Sequence, residues 1–373
     1  MISPFDVLTL SQIPNIGAYR LRTLISHFGE TNNIFSATAN EFAYVEGFTR
    51  KVAISASHFL RSDALTRAQR FAEEQLGRAG RAGCRVVSYW DDVYPEQLKR
   101  IYDPPAFYFM LGELLKQDSS AIAIVGTRMP SDYGTVVAEK FGQEFARLGI
   151  TVVSGLARGV DTVAHSAALR SGGRTIAVIG SGIDVIYPPE NKGLSARIAT
   201  SGAVLSEYSM SAKPDAVNFP KRNRIISGLS LGTLVIETDI NGGAMITAAM
   251  ALDQNREVFA VPAGILARRG RGCNTLIRDG KAKLVESIED ITAELAQKLA
   301  PPVTRGATST LAQPQELSLF EKHIYDVCSE TPLHIDLLAE RVQLAMPDVL
   351  VNLLSLEFKG LVKQLPGKVF VRI

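Results

Sequence analysis

Cysteine is scarce in this chain of 373 residues, and its few copies lie far apart. The three cysteines, Cys84, Cys273 and Cys328, are odd in number and form no C-x-x-C pair. Three scattered cysteines, odd in number and without a C-x-x-C pair, do not have the pattern of a disulfide framework or a zinc site, so we expect neither. A cysteine pattern of this kind is typical of a reducing cytosol, and we expect a cytoplasmic protein.

Long hydrophobic runs are missing as well. No apolar stretch approaches the ~20 residues that a helix needs to span a bilayer, so we expect no membrane partner. The first residues, MISPFDVLTLSQIP, lack the basic start and the apolar centre of a signal peptide. A large excess of charge is also absent, because the net charge is only +2. This balance is ordinary for a globular protein and by itself selects no partner.

Short apolar strands alternate with helical patterns through the middle of the chain. The strand candidates are AIAIVG, TVVSG, TIAVIGSG, AVLSEY, GTLVIET and EVFAVPA. This alternation predicts βαβ units, and therefore an α/β fold with a parallel sheet covered by helices on both faces. Two further strand candidates, RVVSYW and AFYFMLG, stand before this region as its preface.

Composition and periodicity divide the chain into three domains and a linker. Residues 1–75 are helical, with glycine turns that resemble a helix-hairpin-helix unit, and residues 76–300 hold the sheet. Residues 301–317 are rich in Pro, Thr, Ser and Gln, which indicates a linker. Residues 318–373 show three helical patterns and a β-hairpin that turns at Pro366–Gly367, which together predict a winged helix.

Glycine and cations follow several strands of the predicted sheet. The loops contain Gly126 and Arg128, Gly155, Arg158 and Gly159, Gly180, Gly182 and Lys192, and Asn241, Gly242 and Gly243. The segment FPKRNRIISGLS adds Lys221, Arg222 and Arg224. Ligands of open parallel sheets bind at the carboxyl ends of the strands, where glycine lets backbone N–H groups approach an anion. The sequence therefore predicts an anion site at this edge.

Two nucleotide-binding signatures are absent from these loops. The first strand is followed by GTRMPSDYG, which lacks the dinucleotide pattern G-x-G-x-x-G, and no Walker pattern G-x-x-x-x-G-K-[ST] occurs. NAD binding and ATP hydrolysis are therefore disfavoured, and we expect no cofactor. Cations spread over several loops are better suited to a ligand with several phosphates than to one with a single phosphate.

Candidate catalytic groups exist, but they form no nucleophile–base arrangement by spacing. Asp161 and His165 share a helix face, whereas Glu207, Glu237 and Asp239 lie near strand ends and could bind a metal or act as bases. We favour structural roles for all five. In this interpretation Asp161 and His165 fasten a helix to a neighbouring loop, the other carboxylates pair with arginines, and the protein is not an enzyme.

Six motifs, taken in order, resemble the DprA/Smf family of DNA-processing proteins. They are AIVGTRMPSDYG, SGLARGVDTVAH, TIAVIGSGIDVIYPPEN, FPKRNRIISGLS, NGGAMITAAMA and REVFAVPAG, and the likeness covers roughly residues 80–290. The resemblance implies a Rossmann-like core that binds single-stranded DNA in a basic pocket. It also implies a role in natural transformation, in which the protein protects incoming strands, dimerises through the core and loads RecA, without catalysis or a cofactor.

The resemblance also implies a set of DNA-binding residues. The positions that match the family motifs are Arg128, Arg158, Lys192, Lys221, Arg222, Asn223, Arg224, Asn241, Gly242 and Gly243. Arg128, Lys221 and Arg224 are expected to be the main phosphate contacts, and FPKRNR is expected to lead into a short helix whose N-terminus faces the DNA. Phe219 is expected either to anchor this loop in the core, which we favour, or to stack on a base.

The sequence departs from the family pattern in two loops. In VPAGILARRGRGCNTLI, Ala263 and Arg271 replace the usual glycine and serine, and Arg268 and Arg269 make the loop unusually basic. This loop either extends the DNA track or is a solvated loop. In NGGAMIT the family prefers Ser-Gly-Ser, so hydroxyl groups that contact the ligand elsewhere are replaced here.

Two other functions compete with DNA mediation. SGLSLGTLVIE faintly resembles a loop of the nucleotide-5′-monophosphate phosphoribohydrolases, so a small-nucleotide enzyme on a related Rossmann-like fold is the alternative. A transcription factor that reads duplex DNA through the winged helix is the other. The presumed recognition helix, PDVLVNLLSLEFKG, has Asp348 and Glu357 but one cation, Lys359, which argues against duplex reading. We expect this domain to contact protein or to regulate.

Overall fold

The computed structural model describes residues 2–299, 317–329, 333–358, 361–365 and 369–372. Its contacts divide the chain into two compact units at residues 303 and 304. The first unit contains both the helical N-terminal part and the large sheet, and the second is the C-terminal domain. The predicted linker, residues 301–317, lies outside the described residues except for Leu317. Within the described ranges no helix is long and apolar enough to cross a bilayer.

Six helices form the N-terminal part of the first unit. They are α1 (Pro4–Leu10), α2 (Ala18–Phe28), α3 (Thr31–Ser36), α4 (Ala39–Ala43), α5 (Arg50–Leu60) and α6 (Asp63–Arg81). Apolar residues at helical spacing, such as Leu21, Leu24 and Ile25 of α2, are buried in a shared core. The expected boundary after residue 75 falls inside α6, so this helix belongs to both predicted regions, and the separate N-terminal domain stays a prediction.

A nine-stranded sheet forms the centre of the first unit, and its order is β1-β2-β6-β5-β4-β3-β7-β8-β9. The strands are β1 (Arg85–Ser88), β2 (Phe107–Gly112), β3 (Ala121–Val125), β4 (Thr151–Ser154), β5 (Thr175–Ile179), β6 (Ala203–Ser206), β7 (Gly232–Val235), β8 (Glu257–Ala260) and β9 (Lys283–Leu284). Strands β3 to β9 run parallel, as the alternating pattern predicted. The two early strand candidates are β1 and β2, which extend the same sheet as antiparallel edge strands.

Helices cover both faces of the sheet. The remaining helices of this unit are α7 (Glu96–Lys99), α8 (Asp132–Arg147), α9 (Val160–Arg170), α10 (Lys192–Ser201), α11 (Asn218–Gly228), α12 (Gly243–Asp253), α13 (Arg271–Arg278) and α14 (Ile288–Glu294). Side chains of α7, α11, α12 and α13 pack on one face, and those of α6, α8, α9, α10 and α14 pack on the other. This arrangement confirms the predicted Rossmann-like fold.

The second unit is a winged helix, as predicted. It contains α15 (Leu319–Val327), α16 (Ile335–Val342) and α17 (Met346–Phe358), with a small antiparallel sheet of β10 (Leu333–His334), β11 (Val362–Leu365) and β12 (Val369–Arg372). Ile324, Leu338 and Leu353, one from each helix, meet in its core. The predicted turn at Pro366–Gly367 and the cation Lys359 lie outside the described residues.

The order in which parallel strands are added to the sheet reverses at β3. After β3 the chain adds β4, β5 and β6 on one side, and then returns through α11 to add β7 on the other side of β3. The loops that follow the neighbouring strands β3 and β7 therefore lead away to opposite sides of the sheet. A crevice opens at such a switch point, outside the carboxyl ends of the strands.

Candidate functional site

A cleft of about 620 Å³ occupies the switch point. Its walls come from the loops after β3, β4, β5, β6 and β7 and from the first turns of α11 and α12. The side chains that matter most for its chemistry belong to Arg128, Asp161, Tyr187, Phe219, Arg222 and Asn223. The structure thus brings together, in one cavity, loops that the sequence analysis selected separately.

Two of these loops interlock through Gly159, which precedes α9. Gly159 has φ +77°, a conformation that favours glycine, and a Cβ atom there would lie 2.4 Å from the carbonyl oxygen of Thr127. The loop after β4 therefore packs directly on the loop after β3. Because Arg128 follows Thr127, this contact fixes the backbone that carries the Arg128 side chain at the mouth of the cleft.

Arg128 lies above an aromatic wall. Its guanidinium carbon is 5.6 Å from the centroid of the Phe219 ring, and the Tyr187 and Phe219 ring centroids are 5.9 Å apart. Phe219 is half-buried and lines the cleft, while its inner edge packs near Gly180. The ring is thus a wall of the cleft and not part of a closed core, and its contact with a base stays a prediction.

The basic segment is itself helical, which corrects the expectation that FPKRNR leads into a short helix. Helix α11 begins at Asn218, so Lys221 and Arg222 lie within its first two turns. Pro220 is compatible with this position because the first turn of a helix needs no backbone N–H donor. The helical phase places Arg222 on the buried face with Ile225 and leaves Lys221 exposed.

Arg222 is an internal residue, with 4% of its surface exposed. Its Nη1 donates to the carbonyl oxygens of Gly155, at 2.8 Å, and of Val178. Burial lowers the pKa of Arg222 to about 10, partly opposed by the charge of Asp161, so the guanidinium stays protonated at neutral pH. A fixed positive charge therefore lies in the floor of the cleft.

Arg224 is also paired within the protein. Its Nη2 lies 2.6 Å from both carboxylate oxygens of Glu207, and its Nε lies 3.6 Å from Asp103. Burial raises the pKa of Glu207, and the Arg224 guanidinium opposes that shift. The expected contact between Arg224 and a phosphate remains a prediction, and it requires this pair to open.

Arg128, Lys192 and Lys221 are exposed and have no carboxylate partner among the described residues. Of these three, Arg128 lines the cleft, whereas Lys192 and Lys221 do not. Arg158 is exposed as well, but its Nε binds the carboxylate of Glu190. Lys192 is exposed at the start of α10, next to this pair along the chain. The residues expected to bind DNA therefore divide into free cations, one paired surface cation and internal cations.

The loop after β7 brings a second helix N-terminus to the cleft. Asn241 is exposed, Gly242 and Gly243 line the cavity, and α12 begins at Gly243 with no side-chain cap and no acidic residue in its first turn. The first N–H groups and the helix dipole therefore favour an anion there. Asp239 of the same loop accepts a hydrogen bond from Arg268 at 3.2 Å, which compensates its charge.

The candidate catalytic groups have structural roles. Asp161 accepts hydrogen bonds from the backbone N–H groups of Gly155 and Ala157, at 3.1 and 3.2 Å, and so fastens α9 to its loop. His165 does not bond to Asp161, because its Nδ1 lies 2.6 Å from the Thr175 hydroxyl in the protein interior. Burial lowers the pKa of His165 to about 3, which keeps the ring neutral.

Glu207, Glu237 and Asp239 were expected to pair with arginines, and two of these three carboxylates do. Glu207 and Asp239 pair with arginines as predicted, whereas Glu237 does not. Glu237 is buried and accepts hydrogen bonds from the backbone N–H and the hydroxyl of Ser131, both at 2.8 Å. It thereby holds Ser131, the residue whose side chain caps the start of α8. No group of three potential metal ligands occurs in the parts of the chain that are described.

The cleft residues with polar side chains that were not selected from the sequence are Thr127, Tyr187, Thr238 and Thr247. Thr127 and Thr238 each follow a strand within a few residues, so their positions after β3 and β7 were the available signal. Tyr187 lies in IYPPEN, eight residues after the end of β5 at Ile179, and no periodicity pointed to it. Its ring is placed by packing beside Phe219.

The fold and the cleft define a two-unit protein with a Rossmann-like core, a basic site at its switch point and a winged helix. Comparison with known families gives the same class. The family described as DNA recombination-mediator protein A matches residues 85–296, and the DprA winged helix domain matches residues 308–368. The chain belongs to the DNA recombination-mediator protein A family, whose members are called DprA or Smf, and the resemblance in its motifs is confirmed.

Individual relatives agree with this assignment. The chain is 35% identical to protein Smf of Synechocystis over 396 residues, which covers 98% of both chains. The X-ray structure of DprA from Streptococcus pneumoniae superposes with a TM-score of 0.67 at 35% identity, over 79% of this chain and 98% of that one. DprA from Helicobacter pylori, described as having a unique single-stranded-DNA-binding mode, gives 0.52 at 28% identity, over 57% and 96% of the chains.

Proposed function

We propose that this protein binds single-stranded DNA in the switch-point cleft and acts as a recombination mediator in natural transformation. One observation carries the proposal. Arg128, an exposed cation with no carboxylate partner among the described residues, lines a cleft whose floor holds the charged Arg222. The walls of this cleft include the N-termini of α11 and α12, which have no side-chain cap. The relation to the Helicobacter pylori protein, which binds single-stranded DNA, supports it.

The charges of the cleft favour a phosphate backbone. Asp161 and Asp239 also line the cavity, but backbone N–H groups bind the first and Arg268 binds the second. Their charges are therefore compensated inside the protein, whereas Arg128 at the mouth has no carboxylate partner among the described residues. Lysine and arginine that neutralise phosphates supply most of the affinity of non-specific nucleic-acid binding.

The size and the aromatic wall of the cleft favour a single strand. A cavity of about 620 Å³ has the volume of a small-ligand pocket, which admits individual nucleotides of a flexible strand but not a stacked duplex. Phe219 and Tyr187 present ring surfaces to such nucleotides. Unstacked bases can lie against aromatic rings, whereas the paired bases of a duplex are already stacked.

The proposal extends to partners. We infer that the protein loads RecA onto the bound strand and works as a homodimer through the Rossmann-like core, because its family consists of recombination mediators. The winged helix is proposed to contact protein. Its presumed recognition helix α17 exposes Leu350, Val351 and Leu354, where a reader of duplex DNA needs polar and basic side chains.

A binding comparison tests the proposal. Fluorescence anisotropy is measured with a labelled oligothymidine and with a labelled hairpin duplex, and nucleoside monophosphates are incubated in parallel and examined for released base. We expect tight binding to the single strand, weaker binding to the duplex and no release of base. Release of base with no affinity for the oligothymidine would replace the proposal by the small-nucleotide enzyme.

RecA loading needs its own assay. RecA filament formation is followed on single strands that are already coated with a single-strand-binding protein. We expect the wild type to accelerate filament formation on coated strands and to have little effect on bare strands. If the protein binds DNA but leaves RecA assembly on coated strands unchanged, the mediator role is wrong while the DNA site stands.

A further inference from the structure

Tyr102 is an exposed aromatic residue in the loop between α7 and β2. Its residue surface is 96% exposed, and its hydroxyl has no hydrogen-bond partner among the described residues. It does not belong to the walls of the switch-point cleft. The ring of Tyr102 is therefore accessible to a ligand.

The loop holds Tyr102 outward because its neighbours are fixed. Ile101 is buried in the core, and the carboxylate of Asp103 lies 3.7 Å from Arg22 and 3.6 Å from Arg224. The next carbonyl groups are also bound, since Pro105 accepts a hydrogen bond from Tyr94 at 2.8 Å. The backbone on both sides of Tyr102 is therefore anchored, and the exposure of the ring is a property of an ordered loop.

One side of α11 lines the cleft, and the other face of this helix contacts the loop of Tyr102. Lys221, Arg224 and Gly228 are spaced by three and four residues and so share that face. At its far end, a Cβ atom on Gly228 would lie 2.9 Å from the Ile101 side chain, and in its middle Arg224 contacts Asp103. The face that carries Lys221 therefore runs to the loop of Tyr102, while Pro220, Arg222 and Asn223 of the same helix line the cleft.

A second tyrosine and a cation lie beside Tyr102. Tyr19 of α2 is 42% exposed, and its hydroxyl donates to Glu46 at 3.0 Å. The pKa of Tyr19 is raised chiefly by this hydrogen bond. Arg22, one turn along α2, binds Asp103. Exposed rings next to cations are the elements of a platform on which bases of a single strand stack.

We propose that Tyr102 is a stacking site for a base of the single strand, outside the cleft, on the path that leads past Lys221. The site extends the DNA track onto the loop between α7 and β2 and onto the N-terminal helices. The proposal rests on single-strand binding in the cleft. It adds a contact that reads no sequence, because every base has a ring face, and that lengthens the stretch of DNA held by one protein.

Three variants and two oligonucleotides test this site. The variants are Tyr102→Ala, Tyr102→Phe and, as a matched control, Tyr44→Ala. Tyr44 follows the last residue of α4 and is also highly exposed, at 81%. One oligodeoxyadenylate is about 20 nucleotides long, more than a single binding module covers, and the other is about four nucleotides long, enough for the cleft alone. Affinity is measured over a range of salt concentrations.

The full-length chain with Tyr102→Ala should bind the long strand about 5- to 10-fold more weakly, the lower end of the effect of stacking one base. Tyr102→Phe should bind as the wild type does, because it keeps the ring, and Tyr44→Ala should have no effect. The short strand should not distinguish the variants. The salt dependence should stay unchanged, because stacking neutralises no phosphate.

Wild-type affinity of Tyr102→Ala for the long strand would overturn the stacking site. An equal loss with Tyr102→Phe would also overturn it, because the hydroxyl and not the ring would then make the contact. These outcomes differ from failure of the proposed function, in which the wild type itself binds neither oligonucleotide.

Discussion

The guanidinium of Arg222 donates to the carbonyl oxygen of Gly155 at 2.8 Å and thereby joins α11 to the loop after β4. The same guanidinium binds the carbonyl of Val178 at the end of β5. A cation from the most basic segment of the chain thus acts inside the fold. It fixes the floor of the cleft, and we expect exposed cations such as Arg128 and Lys221 to contact the DNA.

Replacing Arg222 should damage stability more than any exposed cation of the same helix. Arg222→Met leaves two buried carbonyl groups without their donor and leaves the charge of Asp161 without its compensating cation. We expect the free energy of unfolding to fall by about 3–5 kcal/mol, as for other broken buried ion networks. Urea denaturation followed by circular dichroism measures the change.

Lys221→Met is the matched control, because Lys221 is exposed on the same helix. Its unfolding free energy should stay within about 0.5 kcal/mol of the wild type. Similar stabilities for the two methionine variants would show that the internal role assigned to Arg222 is wrong.

The interlocked loops at Gly159 make a second prediction. Gly159→Ala combines a left-handed backbone with a Cβ only 2.4 Å from the Thr127 carbonyl, so it should cost about 3 kcal/mol or more and also weaken DNA binding by shifting Arg128. Gly149→Ala is the control, since Gly149 has φ +71° but no atom within 4 Å of the added Cβ. It should cost about 1 kcal/mol and leave DNA binding unchanged.

Both losses are read from thermal and urea unfolding, and binding is read with labelled oligothymidine. A Gly159→Ala protein that is no less stable than Gly149→Ala would contradict the close contact between the two loops.

Buried His165 gives the stability a pH dependence. The pKa of His165 is about 3 in the folded protein against 6.5 for an ordinary histidine, so between these values the unfolded chain binds a proton that the folded protein does not. Its contribution is complete above about pH 6.5 and is lost as the pH falls towards 3. Between pH 7 and pH 5 the wild type should lose about 2 kcal/mol through this residue.

His165→Gln removes that titration. The difference in unfolding free energy between wild type and variant should therefore shrink by about 2 kcal/mol from pH 7 to pH 5, whatever other groups titrate in both proteins. A difference that stays constant with pH would mean that His165 can be protonated in the folded state.

The fold was predictable because its signals are local. Continuous apolar runs such as AIAIVG became β3, and the three helical patterns after Ser318 became the winged helix. The place of β1 and β2 was not predictable, since the choice between a separate preface and the edge of the main sheet depends on which strand they pair with. Pairing between β2 and β6 joins residues that are almost a hundred positions apart in the chain.

The positions of the site loops followed from the sequence, but the roles of the cations did not. In the sequence, Lys221, Arg222 and Arg224 are three similar cations. Which side of α11 each one faces depends on where the helix begins, at Asn218. A helical pattern was available, because Arg222, Ile225 and Ile226 have the spacing of one buried face. The pairing of Arg224 with Glu207 has no such signal, since it depends on the contact of α11 with the end of β6.

The central claim is that a phosphate backbone crosses the mouth of the cleft, and the salt dependence of single-strand binding tests it most directly. Oligothymidine affinity is measured against salt concentration for the wild type, Arg128→Ala, Lys221→Ala and the control Arg147→Ala, which removes an exposed arginine at the end of α8. We expect the slope of log affinity against log salt to flatten by about 0.7 for each cleft variant and to stay unchanged for the control. Equal slopes for all four proteins would contradict the claim.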